Sequence, residues 1–200
     1  VDTNGHKSTG TIDHVLHVNN NTITTGEGAP FTAYDAAIVE FNDNTISGAS
    51  EGSGIGVRDS TVIANRNVIG PIGKWNGLWI YGSSDVVAEN NTIQMGSGAH
   101  EPVLVGEYHF RDDGWNVPNP TKARLYLANN NIMNNSGNCN SVIYGGEFPC
   151  PAIHVFMSSA TIVGNTITDN IGDGIRSTGG IINVQNNEIH SSEFAARISA

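Results

Sequence analysis

The chain has 200 residues, 38% of them hydrophobic and 14% charged, the size and balance of one globular domain rather than of a disordered segment. Nine basic against 19 acidic side chains give a formal charge of -10, the wrong sign for tracking phosphate backbones or anionic lipid, so nucleic acid is not an expected partner. No run approaches the ~20 apolar residues that would span a bilayer, and Val1 to Gly10 is polar rather than signal-like.

In chain order, the alternating apolar pair Leu16/Val18 is followed by Asn21 and Ile23. The same unit returns as Val39/Phe41 before Asn44/Ile46, Val62/Ala64 before Asn67/Ile69, and Val86/Ala88 before Asn91/Ile93. It continues as Leu125/Leu127 before Asn130/Ile132, Ala160/Ile162 before Asn165/Ile167, and Ile182/Val184 before Asn187/Ile189. The spacing of two within each pair predicts a strand with one buried face. A second strand follows most units, about nine residues after the Ile, at Ile55/Val57, Leu78/Ile80, Val103/Val105, Ile153/Val155 and Ile175.

The successive Ile spacings are 23, 23, 24, 39, 35 and 22. Coils of this length are too short for a crossover helix, and helical periodicity is absent from the repeats. The expectation is therefore an all-β parallel solenoid of about seven coils, roughly 34 Å long if each coil advances ~4.8 Å. Stacking would place Asn21, Asn44, Asn67, Asn91, Asn130, Asn165 and Asn187 in one column. There each side-chain amide can bond to backbone groups and to the Asn above and below, which is what makes an inward polar residue tolerable. The preceding residues, Asn20, Asp43, Arg66, Asn90, Asn129, Gly164 and Asn186, are expected in the left-handed turn conformation, with Arg66 the odd member.

Segments such as Asn90-Asn91-Thr92-Ile93 and Gly164-Asn165-Thr166-Ile167 resemble the right-handed parallel β-helix repeats of the pectate lyase-like superfamily, over nearly the whole chain. The resemblance implies one right-handed β-helix domain over 1–200. It does not imply one activity, since that superfamily includes lyases, hydrolases, epimerases, phage tailspikes and adhesins.

The two long spacings mark inserted loops at about 106–121 and 138–151. The second carries the only cysteines, Cys139 and Cys150. A disulfide worth about 2 to 3 kcal/mol by loop closure is expected there, with unpaired thiols as the alternative. An oxidising, extracellular or cell-surface setting goes with the bridge.

If the second strands are in register, Gly56, Trp79, Leu104, His154 and Arg176 form one outward column, and Arg58, Tyr81, Gly106 and Phe156 form a neighbour. Arg58, Trp79, Tyr81, His154, Phe156 and Arg176 are thus the candidate ligand-binding set. Rings on a flat sheet, bordered by hydrogen-bonding groups, suit the mixed apolar and hydroxyl faces of a polysaccharide or other glycan. The competing expectation is that Trp79, Tyr81 and Phe156 pack beneath the inserted loops as a satellite core.

Catalytic candidates are Glu107, Asp112, Asp113, Arg111, His154 and Arg176, with Lys122 and Arg124 nearby. A uronate lyase would need Ca²⁺, for which Glu107, Asp112 and Asp113 are the available ligands, together with a basic side chain. A hydrolase would need two carboxylates at a set separation. No catalytic motif of either kind is present, and an adhesive or structural rod without a cofactor is favoured over a lyase, epimerase or hydrolase. His100-Glu101 and Tyr108-His109 suggest a metal, but no zinc-like spacing appears and none is expected. Neither end shows a capping helix, and Ile198 follows Ile189 by nine residues as Ile55 follows Ile46. This points to a segment of a longer β-helix or to end-to-end self-association, and a spacer or filament subunit is a third possibility.

Overall fold

Like residues of successive coils lie above one another in three sheets. The structure, a computed structural model, describes residues 15–49, 51–96, 99–110, 116–119, 122–133, 138–141, 146–191 and 194–199. The first sheet runs, in order, β1 (Leu16–Asn19), β4 (Ile38–Asn42), β7 (Thr61–Asn65), β10 (Asp85–Glu89), β15 (Arg124–Ala128), β20 (Ser159–Val163) and β23 (Ile181–Gln185). The second runs β2 (Thr22–Thr24), β5 (Thr45–Ser47), β8 (Val68–Ile72), β11 (Thr92–Met95), β16 (Asn131–Met133), β21 (Thr166–Asn170) and β24 (Glu188–Ser191). The third runs β3 (Phe31–Tyr34), β6 (Ile55–Arg58), β9 (Leu78–Tyr81), β12 (Val103–Val105), β19 (Ile153–Phe156), β22 (Ile175–Thr178) and β25 (Ala196–Ser199). Neighbours within each sheet are parallel, giving a solenoid of about six turns, with no helix among the described residues.

Inward positions of the second sheet are one column of isoleucine: Ile46 pairs with Ile69, Ile69 with Ile93, Ile93 with Ile132, and Ile132 with Ile167, all buried. Each removes a whole side chain from water, worth roughly 1.5 to 3 kcal/mol. The corner into the third sheet is so tight that glycine is required for space. A Cβ on Gly77 would lie 2.5 Å from Cγ2 of Ile93 and 2.8 Å from the carbonyl of Pro102.

The corner between the first and second sheets is made by the asparagine column. Nδ2 of Asn44 donates to Oδ1 of Asn67 at 3.1 Å, Asn67 to Asn91 at 3.0 Å, and Asn91 to Asn130 at 2.9 Å. Each Nδ2 also reaches a carbonyl of the preceding coil, as Asn91 does to Ala64 at 2.8 Å. The residue before every ladder Asn has positive φ, from 54° at Asn186 to 66° at Gly164.

Two antiparallel pairs interrupt the coils. β13 (Glu107–Phe110) and β14 (Asn116–Asn119) lie between β12 and β15, while β17 (Asn138–Ser141) and β18 (Gly146–Pro149) lie between β16 and β19. The first pair follows β12 directly in the chain, and the second leads into β19. Cys139 and Cys150 are disulfide-bonded.

Two features of the third sheet differ from the sequence expectation. The first coil already has a third-sheet strand, β3, because Phe31 and Ala33 fill the core as Ile55 and Val57 do in the next coil. At the other end Ala196, not Ile198, is in register with Ile175. The last corner is shorter by two residues than the Ile46-to-Ile55 spacing suggests, and Ile198 stands over Ser177.

Candidate functional site

The outer face of the third sheet carries the residues that alternate with its core. Gly56, Trp79, Leu104, His154, Arg176 and Arg197 pair in sequence along one column, and Tyr34, Arg58 and Tyr81 along the next. Parallel pairing without register slips fixes these neighbours, since a slip of one residue would turn every side chain to the opposite face.

Burial divides this face in two. Around β12, β19 and β22 it is covered: His154 is 0% exposed, Phe156 1%, Arg176 4% and Leu104 7%. Toward the first coils it is open, where Tyr34, Arg58 and Trp79 are partly exposed beside Tyr81. The rings of Trp79 and Tyr81 stack with centroids 4.4 Å apart and planes 25° from parallel. Nε1 of Trp79 donates to the carbonyl of Gly106 at 3.2 Å, which fixes the orientation of the indole. The Arg58 guanidinium lies 4.9 Å over the Tyr34 ring and donates from Nη2 to Asp35 at 3.2 Å. Its Nε has no hydrogen-bond acceptor. Burial acts to lower the Arg58 pKa, but the Tyr81 phenol and the carboxylates of Asp35 and Asp59 outweigh it and raise the net value.

Beneath the covered half lies a polar cluster. Nδ1 of His154 donates to Oε1 of Glu101 at 3.1 Å, and Nδ2 of Asn76 donates to Oε2 at 3.2 Å. Burial pushes the Glu101 carboxyl up. The hydrogen bond and charge of His154, the backbone amide of Glu101 and the charge of His100 outweigh that, and the pKa ends below the usual carboxylate range. Donor atoms of His100, Glu101 and Cys139 come within 4.8 Å of one another, an assembly that spacing along the chain does not suggest. The His100 ring stacks on Trp75, with centroids 5.1 Å apart. One strand further on, Oδ2 of buried Asp173 accepts from Arg176 (Nε at 2.8 Å) and lies 3.2 Å from Nε of Arg197.

Of the candidate ligand-binding residues, the sheet brings all six onto one face, but only Trp79 and Arg58 are partly open there. Among the catalytic candidates, Arg111, Asp112 and Asp113 lie outside the described residues, and Glu107 begins β13. Arg124 lies in the first sheet, where its guanidinium pairs with both oxygens of Asp85 through Nε and Nη2, and is remote from this face. Tyr34 was not signalled by the repeat, because its strand follows a Gly-rich stretch and carries Phe31 and Ala33 in place of a branched aliphatic pair. The pairing of Glu101 with His154, brought together across 53 residues by coil stacking, is the other addition, since the sequence singled out Glu101 only beside His100.

The first sheet bears a different outer surface. Thr61, Ile63, Val87, Arg124, Tyr126 and Thr161 line a shallow open trough of about 590 Å³.

Comparison of the chain with protein-family models, with curated proteins and with solved structures finds no match.

Proposed function

We propose that this chain is a secreted or cell-surface solenoid, right-handed and of the pectate lyase-like type, that acts as a structural or adhesive rod and binds polysaccharide on the open half of its third sheet. The observation that carries this reading is the platform of Tyr34, Arg58, Tyr81 and Trp79. The Trp79 and Tyr81 rings stack on each other and the Arg58 guanidinium lies over the Tyr34 ring, bordered by Asp35 and Asp59. A pyranose presents an apolar face to rings and hydroxyls to charged side chains at its rim, so a partly open aromatic cluster with an ionic border suits it. Strands step by about 4.8 Å, close to the length of one sugar residue, so an extended chain can meet equivalent positions on successive coils. The disulfide is consistent with an oxidising compartment. His154, Phe156 and Arg176 are buried on β19 and β22 and lie outside this open half.

The test is a glycan array followed by titration of the bound glycan with wild-type protein and with Trp79→Ala and Tyr34→Ala. Each substitution should weaken binding about tenfold, or about 1.4 kcal/mol, with the β circular dichroism spectrum retained. Unchanged affinity removes the site. Incubation of the same glycans with and without Ca²⁺ covers the enzymatic alternative, since unsaturated or new reducing ends would replace the adhesive reading with a lyase or hydrolase.

A further inference from the structure

We propose that His100, Glu101 and Cys139 form a binding site for a borderline-soft divalent metal of the Zn²⁺ class, and that the Cys139–Cys150 disulfide masks it. Reduction would exchange the S–S bond for a thiolate–metal bond. This inference is independent of the polysaccharide reading.

The donors come from two coils. His100 and Glu101 lead into β12, Cys139 lies in β17 ahead of β19, and β12 and β19 are hydrogen-bonded neighbours, so stacking closes a gap of 38 residues. All three ligand atoms lie within 4.8 Å of one another. Around a tetrahedral Zn²⁺ with bonds of about 2.0 to 2.3 Å, ligand atoms sit roughly 3.5 Å apart, so small side-chain movements bring the three into contact with one ion. A sulfur, an imidazole nitrogen and a carboxylate oxygen select Zn²⁺ and its neighbours over Ca²⁺, which takes oxygen alone.

The surroundings are those of a supported metal ligand. Glu101 is buried, with His154 donating to one oxygen and Asn76 to the other. Each carboxylate oxygen has two lone pairs, so these bonds fix the group's orientation and leave capacity to bind a cation. Trp75 stacks on the His100 ring and limits its rotation.

In the oxidised chain the Cys139 sulfur is committed to Cys150, and a disulfide sulfur is a poor ligand because only the thiolate binds metal well. A dithiol reductant supplies two electrons and two protons, leaving as its own disulfide while Cys139 and Cys150 become thiols. As the metal binds, the Cys139 thiol releases its proton to solvent. The fourth position is taken by Cys150 or by water.

Cys150→Ser leaves Cys139 as a thiol without any reductant, and Co²⁺ is the probe because its thiolate complexes absorb through charge transfer. The variant should bind one equivalent of Co²⁺ with a thiolate-to-cobalt band, and Zn²⁺ should displace it. His100→Ala in that background should abolish the band, and Asn76→Ala should weaken affinity about tenfold or more. Oxidised wild type should give no band, and wild type reduced with a dithiol should gain one. The proposal is overturned if Cys150→Ser and reduced wild type keep their β spectrum yet show no band, or if the band survives His100→Ala. Loss of the β spectrum in both reduced forms overturns it equally, because the switch requires a folded reduced state.

Discussion

Arg66 donates from Nε and Nη2 to the two oxygens of Asp43, each at 2.7 Å, from the same left-handed turn position one coil away. This pair accounts for the one cationic residue in a column otherwise filled by Asn, Asp and Gly. Arginine has no intrinsic liking for a φ of 56°, but a stacked coil places a carboxylate within its reach. Hydrogen bonding and charge from Arg66 hold the Asp43 carboxyl below its ordinary pKa.

Because both groups are exposed, the ion pair contributes little and the backbone conformation should dominate. Arg66→Asn is therefore expected to leave the urea midpoint unchanged or raise it. A clear fall in that midpoint would mean that the pair, and not the turn, governs this corner.

The buried ladder should behave in the opposite way. Oδ1 of Asn91 accepts from both the backbone amide and Nδ2 of Asn67, and its own Nδ2 donates to Asn130 and Ala64. Asn91→Leu would strand donors on Asn67 and the carbonyl of Ala64 away from water, at about 1 to 3 kcal/mol for each unsatisfied group. A total loss of roughly 3 kcal/mol or more is expected from urea unfolding monitored by circular dichroism. A loss below about 1 kcal/mol would show that the corner does not depend on the amide column.

Glu101 supplies a pH dependence with a definite sign. Its pKa is lower in the fold than in the unfolded chain, for which about 4.3 is the reference. The stability it contributes is present above that reference and is lost as pH falls through the lower folded value. Glu101→Gln faces one of its two buried donors with an NH₂ group, so it should be less stable than wild type at pH 7. The gap should narrow as pH drops below 4 and the wild-type carboxyl takes up a proton. Denaturation series at the two pH values check this, and a constant gap would contradict it.

The sheets were legible in the sequence because each coil repeats two local signals, a period-two apolar pair and an Asn before Ile, and stacking preserves them at every level. The outward order Gly56, Trp79, Leu104, His154, Arg176 followed from that register alone. What covers the face was not legible. Whether Phe156 faces a ligand or a loop depends on where the residues around β13, β14, β17 and β18 return, and those segments lie outside the repeat. The partnership of Glu101 with His154 was hidden for a related reason: Glu101 enters β12 from a stretch without repeat signal, and its partner lies 53 residues on. Tyr34 escaped because its strand follows a Gly-rich stretch and puts Phe31 and Ala33 where later coils carry a branched aliphatic pair such as Ile55 and Val57.

The most direct measurement compares the two aromatic surfaces of one rod. Affinity for a glycan identified on an array would be determined for wild type, for Trp79→Ala on the third sheet and for Tyr126→Ala in the first-sheet trough, with folding verified by circular dichroism. A site on the open half of the third sheet predicts about a tenfold loss for Trp79→Ala and wild-type affinity for Tyr126→Ala. Wild-type affinity for Trp79→Ala, or a loss confined to Tyr126→Ala, would contradict it.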